Sequence, residues 1–140
     1  EFGLVGENLT IDDFNEKEIY IGDELMIGDC LFQISQPRIP CYKIGIKMND
    51  RDFPKKFSQS GLLGSYMRVL ETGKISKNDD VKHIRKESNS LSIYEVSQIL
   101  FKDVNNIDKM KHALDLKYLT EEIKERFRER LMKLGDYSSL

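Results

Sequence analysis

The sequence of residues 18–41 is EIYIGDELMIGDCLFQISQPRIPC, and this stretch decides the fold. Two short apolar runs, residues 18–21 and 24–27, each end at a Gly-Asp dipeptide, which is typical of a tight turn. Over residues 30–35, Cys, Phe and Ile then alternate with Leu, Gln and Ser, the period of a half-buried strand. The stretch predicts three short strands separated by turns.

Two more strands are predicted further along the chain, at residues 66–70 and 81–85. The first ends at the turn Glu71-Thr72-Gly73, and the second follows Asn78-Asp79. Several short strands at this spacing favour a barrel or a sandwich. We therefore expect a mainly β fold over residues 1–87, with helices after it.

From residue 88 onward the pattern becomes helical. Ser92 and Glu95 have the spacing of a capping box, Asn105 or Asn106 can cap a second helix, and Thr120 can cap a third. One face of the third helix is apolar through Ile123, Phe127, Leu131 and Leu134. Residues 88–140 are therefore predicted to form a three-helix extension that follows the β portion.

Composition excludes several classes of protein. The chain has 140 residues, of which 39% are hydrophobic and 33% charged, so it can build a core and is not disordered. No apolar run is long enough for a membrane helix, and the first residues do not have the pattern of a signal peptide. Two cysteines do not make a disulfide scaffold, and we expect a cytoplasmic protein.

Charge is segregated along the chain. Residues 1–34 carry nine acidic residues and one Lys, whereas residues 35–74 carry eight basic and three acidic residues. The total of −2 argues against a nucleic-acid partner, because such binding depends on neutralising phosphates. The local positive charge fits either a solvated basic face or a site for a small anion.

The candidate chemistry lies in residues 35–43, SQPRIPCYK. Two prolines interrupt the strand here and predict a stiff loop around Cys41. Arg38 and Lys43 lie close in sequence, and cations favour the thiolate, which is a ligand for soft metals and a nucleophile. A lone cysteine can equally be a small buried apolar residue, the role we expect for Cys30. The spacing of the two cysteines gives no zinc site.

Several motifs together resemble one family. They are Gly6-Glu7-Asn8-Leu9-Thr10, Ile21-Gly22-Asp23, Ile27-Gly28-Asp29, the segment from Ser35 to Cys41, and the segment GSYMRVLETG at residues 64–73. In order and spacing they resemble the MOSC domain, named for the C-terminal part of molybdenum-cofactor sulfurase. The helices after residue 88 resemble the bacterial branch with a C-terminal helical extension, which is linked to resistance to 6-hydroxylaminopurine.

The resemblance implies a β-barrel that binds the pterin molybdenum cofactor, with Cys41 as the protein ligand to molybdenum. It implies reduction of N-hydroxylated bases to amines, without pyridoxal phosphate, with electrons from a partner reductase. Carried over to this chain, the cofactor-binding residues are Asn8, Thr10, Ser35, Gln36, Arg38 and Arg68. Guanidinium groups suit oxyanions, but Arg38 could instead form a salt bridge and Arg68 could occupy a surface position. Glu7 is expected to be a turn carboxylate or a substrate contact.

The chain departs from the family pattern at its start, because typical members begin some strands earlier. We expect either a fragment or one of two polypeptides, completed by the N-terminal half of the barrel or by a homodimer mate. Two other functions stay open. One is a non-catalytic binding or sulfur-carrier domain, and the other is an adaptor that acts through its helices.

Overall fold

A computed structural model describes residues 3–136 and residue 138. Its four strands form one antiparallel sheet in the order β3-β2-β1-β4. The strands are β1 (Glu24–Ile27), β2 (Cys30–Pro37), β3 (Ser65–Glu71) and β4 (Val81–Arg85). The predicted strands at residues 24–27, 30–35, 66–70 and 81–85 are therefore confirmed, and β2 ends at the first of the two loop prolines.

The β1–β2 hairpin turns through Gly28-Asp29, as the sequence predicts. Ile27 and Cys30 are paired across it, so the loop has two residues. Gly28 has φ +54°, and a Cβ there would lie 2.5 Å from the Lys74 carbonyl oxygen and from an Asp79 carboxylate oxygen. Both the backbone conformation and the close approach of residues 74–79 require glycine.

The predicted strand at residues 18–21 is wrong. Only Tyr20 pairs there, in an isolated bridge with Ser92. Its neighbours bond to the start of the helical part: the Ile21 amide donates to the Leu91 carbonyl and the Ile93 amide donates to the Ile19 carbonyl. Gly22 then turns the chain at φ +94°, so the apolar run is too short to continue as a strand.

Five helices complete the described part of the chain. They are α1 (Tyr42–Lys47), α2 (Phe53–Ser60), α3 (Ile93–Phe101), α4 (Ile107–Asp115) and α5 (Glu121–Lys133). The sequence predicted the last three but not α1 and α2, which are short and lie between β2 and β3. α2 has a proline in its first turn and ends at Gly61, which has φ +74°. Proline is common at the start of a helix, and glycine in the left-handed conformation is common at its end.

The predicted helix caps differ in their outcome. The Ser92–Glu95 capping box is present in both directions, and the Asn106 side chain accepts from the Lys109 amide at 3.0 Å. Thr120 occupies the N-cap position of α5, but its hydroxyl makes no cap bond and donates to Gln36 on β2 instead. That bond attaches the start of α5 to the sheet.

The main hydrophobic core joins the helices to one face of the sheet. Val96, Ile99, Met110, Ile123 and Phe127 are fully buried and form one cluster with Ile21, Leu25 and Ile34. A smaller cluster contains Ile27, Cys30 and Phe32, with residues 9 and 11 packed on it. The fold is thus mixed, with strands and helices sharing one core, and the division at residue 87 stays a prediction. None of the helices in residues 3–136 is long and apolar enough to cross a membrane.

Candidate functional site

The motif Gly6-Glu7-Asn8 lies in a tight turn that the Glu7 carboxylate closes. Its oxygens accept from the Gly3 amide at 2.6 Å, the Val5 amide at 3.2 Å and the Thr10 hydroxyl at 3.2 Å. Backbone hydrogen bonds, with a smaller contribution from Thr10, hold the pKa of Glu7 below its usual range. Glu7 is therefore a turn carboxylate, which is one of the two roles predicted for it from the sequence.

Two cations attach this turn to the region around Cys41. The Arg38 guanidinium donates to the Val5 carbonyl oxygen, and Lys47 Nζ on α1 donates to the Gly3 carbonyl oxygen at 2.6 Å. The Arg38 amide donates to the Gly64 carbonyl at 3.1 Å, which fixes the backbone just after β2. Three motifs that are far apart in sequence thus meet here.

Cys41 is exposed at the N-cap position of α1. Its backbone is extended, with φ −112° and ψ 167°, and its side chain makes no cap hydrogen bond. Cys30 is a free cysteine too, but it is buried in the smaller core cluster. Of the two thiols, only that of Cys41 is accessible to a metal or a substrate.

Ser35 and Gln36 are buried at the end of β2, where their side chains are already bonded. The Ser35 hydroxyl donates to the Tyr66 carbonyl oxygen at 2.9 Å across the strand pair. The Gln36 side-chain oxygen accepts from the Thr120 hydroxyl. These contacts hold the strand end that leads to Cys41, and the predicted cofactor contacts of both residues stay predictions.

Arg68 lies on β3, opposite Gln33 on β2. Its guanidinium donates to the Tyr118 carbonyl oxygen at 2.8 Å and to the Gln33 side-chain oxygen at 3.3 Å. Arg68 therefore connects the sheet to the segment between α4 and α5, whereas Arg38 faces the N-terminal turn. The two guanidinium groups bind different parts of the chain. They are therefore not arranged to bind one ligand together.

Asn8 and Thr10 are exposed and line an open cavity of about 990 Å³. Its wall also contains Leu25 and Ile27 from the sheet and His83 from β4. The cavity therefore lies against the apolar inner face of β1 and β4. Cys41, Ser35, Gln36, Arg38 and Arg68 are not part of its lining.

Asp23 and His83 form a pair that the sequence did not single out. The Asp23 side chain is fully buried, and its oxygens accept from the Tyr20 amide at 3.0 Å and the Glu87 amide at 2.7 Å. His83 Nε2 lies 2.9 Å from the same carboxylate. The Gly-Asp dipeptide signals the turn, but nothing in the sequence pairs this aspartate with a histidine sixty residues later.

The side chains that could bind a metal bear on whether a pterin molybdenum group fits this site. Within residues 3–136 and residue 138, no three His, Cys, Asp or Glu side chains are grouped to hold a metal ion. A group that carries its own metal needs only one thiolate from the protein, and an exposed Cys41 beside Lys43 fits that requirement. Of the predicted cofactor ligands, Asn8, Thr10 and Arg68 are exposed, and the Arg68 guanidinium already donates to Tyr118 and Gln33.

Comparison with known proteins establishes the family. The model of the MOSC domain matches residues 1–82, more than half of the chain. The chain belongs to the MOSC domain family, as its motifs indicate.

Two curated relatives show how far the likeness extends. The chain is 30% identical over 129 residues to the uncharacterized protein YflK of Bacillus subtilis (strain 168), covering 92% of this chain and 58% of YflK. It is 31% identical over 101 residues to a protein named reductase from Gibberella moniliformis, covering 71% of this chain and 18% of that protein.

Among solved structures, the crystal structure of YiiM from Geobacillus stearothermophilus superposes with a TM-score of 0.89 at 33% identity. The match covers 94% of this chain and 67% of that one. The chain thus spans well under two thirds of the curated relatives above, while nearly all of it matches the YiiM fold.

Proposed function

We propose that this chain forms part of a molybdenum-cofactor oxidoreductase that reduces N-hydroxylated bases of the hydroxylaminopurine type to amines. The observation that carries the proposal is the exposed Cys41 thiol at the end of β2, in a segment with excess positive charge. Membership of the MOSC family and the relative named reductase support a redox role.

In this proposal Cys41 supplies the protein ligand to molybdenum, because a thiolate is the soft donor that suits such a metal. Asn8 and Thr10 offer exposed polar groups to the pterin or its phosphate. Arg38 keeps the N-terminal turn beside the loop through Val5, and Lys43 adds positive charge for an anionic cofactor. Ser35, Gln36 and Arg68 support the strands that position the loop.

The reaction is balanced as R–NHOH + 2 e⁻ + 2 H⁺ → R–NH₂ + H₂O. The N–O bond breaks, the nitrogen is reduced, and the oxygen leaves as water. The cofactor, when bound, supplies the two-electron chemistry, and a partner reductase supplies the electrons. The chain's own contribution is to hold the Cys41 side chain exposed at the start of α1, where the metal of the cofactor would reach its sulfur.

A further stretch of polypeptide completes the site in this proposal. Within the described residues, β3 and β4 each have one unpaired edge, and Val69, Leu70, Val81 and Ile84 on them are exposed apolar residues. The chain also spans only 58% of YflK. Additional strands, or a second copy of this chain, would cover those edges and the open cavity.

The proposal is tested by producing the chain together with the polypeptide that completes the site, in a host that makes the cofactor, and measuring reduction of 6-hydroxylaminopurine with dithionite-reduced viologen. We expect activity that Cys41→Ser abolishes. Cys30→Ala is the matched control and should keep it, because Cys30 is buried. Activity of Cys41→Ser equal to that of the parent chain would contradict the proposal.

The same exposed thiol also favours a second candidate, a non-catalytic sulfur carrier. A persulfide on Cys41, found by mass spectrometry in protein that contains no molybdenum and does not reduce the base, would support the carrier over the reductase.

A further inference from the structure

Helix α1 presents an apolar surface to solvent as well as to the core. Ile44 and Gly45 are buried, whereas Tyr42 is 72% exposed and Ile46 71% exposed. Tyr42 and Ile46 are four positions apart, so they lie on the same side of the helix. Two large side chains this exposed on a six-residue helix form an unusual surface for a chain with 33% charged residues.

The α1–α2 pair is closely packed. A Cβ on Gly45 would lie 2.9 Å from the Asp50 carbonyl oxygen and 3.2 Å from the Pro54 ring, so glycine lets the chain fold back tightly. Phe53 and Phe57 on α2 stack at 5.8 Å between ring centroids. Tyr42 and Ile46 are therefore presented by a defined pair of helices.

The exposed apolar pair is accompanied by uncompensated positive charge. Lys43, Arg51 and Lys55 are exposed, and in the described part of the chain no carboxylate lies within ion-pair distance of them. Lys56 differs, because it pairs with Asp50 at 2.7 Å. We use the name α1–α2 face for five exposed residues of α1, α2 and the turn between them, Tyr42, Lys43, Ile46, Arg51 and Lys55.

An apolar centre with charged residues around it is the arrangement of a transient protein interface. The positive charge selects an acidic partner, because complementary charge steers association and discriminates against other partners. A nucleic acid would not require the exposed Ile46, and the chain as a whole carries a net charge of −2.

We propose that the α1–α2 face docks an acidic electron-carrier protein that delivers reducing equivalents to the site at Cys41. The inference rests on the proposed function. Its geometric basis is that Cys41 immediately precedes Tyr42 and is itself exposed at the start of α1. A carrier seated on this face therefore brings its redox group next to the thiol.

The first test measures binding of flavodoxin, a small acidic FMN protein, by titration calorimetry at low and at moderate ionic strength. We expect salt-sensitive binding that the double variant Arg51→Glu/Lys55→Glu weakens about tenfold or more. Tyr42→Ala should weaken it at both salt concentrations. Lys82→Glu/Lys86→Glu makes the same charge change elsewhere on the exposed surface and should bind like the parent chain.

The proposal is overturned if flavodoxin does not bind at low ionic strength, or if both double variants bind it equally. Tighter binding of a duplex oligonucleotide, or of vesicles containing anionic lipid, through the same residues also overturns it.

The second test separates this inference from the function on which it rests. Base reduction driven by a reduced viologen should be equal in the parent chain and in both double variants, whereas the flavodoxin-driven rate should fall only in the Arg51→Glu/Lys55→Glu variant. Loss of the viologen-driven rate in all proteins would contradict the proposed function, while the calorimetric result would still decide the docking face.

Discussion

Arg38 and Val5 are joined by a hydrogen bond from the guanidinium to a carbonyl oxygen, between residues 33 positions apart. This bond connects the loop before Cys41 to the turn that contains Glu7, and Lys47 adds a second connection to Gly3. The N-terminal motif and the cysteine motif therefore form one structural unit around the candidate site.

Arg38→Gln should loosen that unit. We expect the free energy of unfolding to fall by about 1–2 kcal/mol, since a charge-assisted hydrogen bond is lost, and protease cleavage within residues 3–10 to increase. Urea unfolding and mass-spectrometric mapping of the cleavage sites measure the two effects. Arg51→Gln, which removes an exposed arginine, is the control; equal effects of the two changes would refute the role of Arg38.

Glu7 should make the N-terminal turn sensitive to acid. Its folded-state pKa lies below its usual value of 4.5, so ionised Glu7 stabilises the turn at neutral pH. This contribution is fully present above the unfolded-state pKa and is lost as the pH falls through the folded-state pKa. Amide exchange at Gly3 and Val5 should therefore accelerate, relative to the intrinsic rates, on acidification.

Glu7→Gln should remove most of this pH dependence, because the amide cannot titrate. Asp12→Asn removes a neighbouring exposed carboxylate and should leave it intact. An acid-induced change of the same size in Glu7→Gln would show that another group opens the turn.

Asp23 should be among the most sensitive positions of the described chain. Asp23→Ala removes a fully buried carboxylate and leaves the Tyr20 and Glu87 amides and the His83 ring without their acceptor. We expect destabilisation of about 2–4 kcal/mol by urea denaturation. His83→Asn should cost less, because its side chain is partly exposed; the reverse order would contradict this assignment.

Gln36 and Thr120 should be energetically coupled. The Thr120 hydroxyl donates to the Gln36 side-chain oxygen and so attaches α5 to the end of β2. Thr120→Val and Gln36→Leu should each destabilise the fold, and a double-mutant cycle should return a coupling of about 0.5–1.5 kcal/mol. Additive losses would mean that the hydrogen bond contributes nothing. Thr72→Val, a threonine change at an exposed position just after β3, is the control.

The sequence predicted the sheet because each strand has its own local signal. Alternation at residues 30–35 and the Gly-Asp turns are short-range features, as is the Ser92–Glu95 box. The error at residues 18–21 has a long-range cause, since the backbone there bonds to Leu91 and Ile93. α1 and α2 were missed because both are short: α1 begins just after the two prolines that mark a loop, and α2 has Pro54 in its first turn.

For the candidate site too, the sequence predicted the local features but not the contacts between distant residues. The exposure of Cys41 agrees with a stiff loop after β2, and the Gly6-Glu7-Asn8 motif does form a turn. The partners of Ser35, Gln36 and Arg68 come from residues 66, 118 and 120, so local pattern could not reveal them. The Asp23–His83 pair likewise depends on the register of β1 with β4.

The central claim is that Cys41 binds molybdenum. The most direct test is the molybdenum content per chain, by plasma mass spectrometry, of protein purified from a cofactor-producing host together with the polypeptide that completes the site. We predict measurable molybdenum in the parent chain and in Cys30→Ala, and its loss in Cys41→Ser, while the cofactor-free forms of the three proteins unfold at the same midpoint. Equal molybdenum in Cys41→Ser and the parent chain, or none in the parent chain, would contradict the claim.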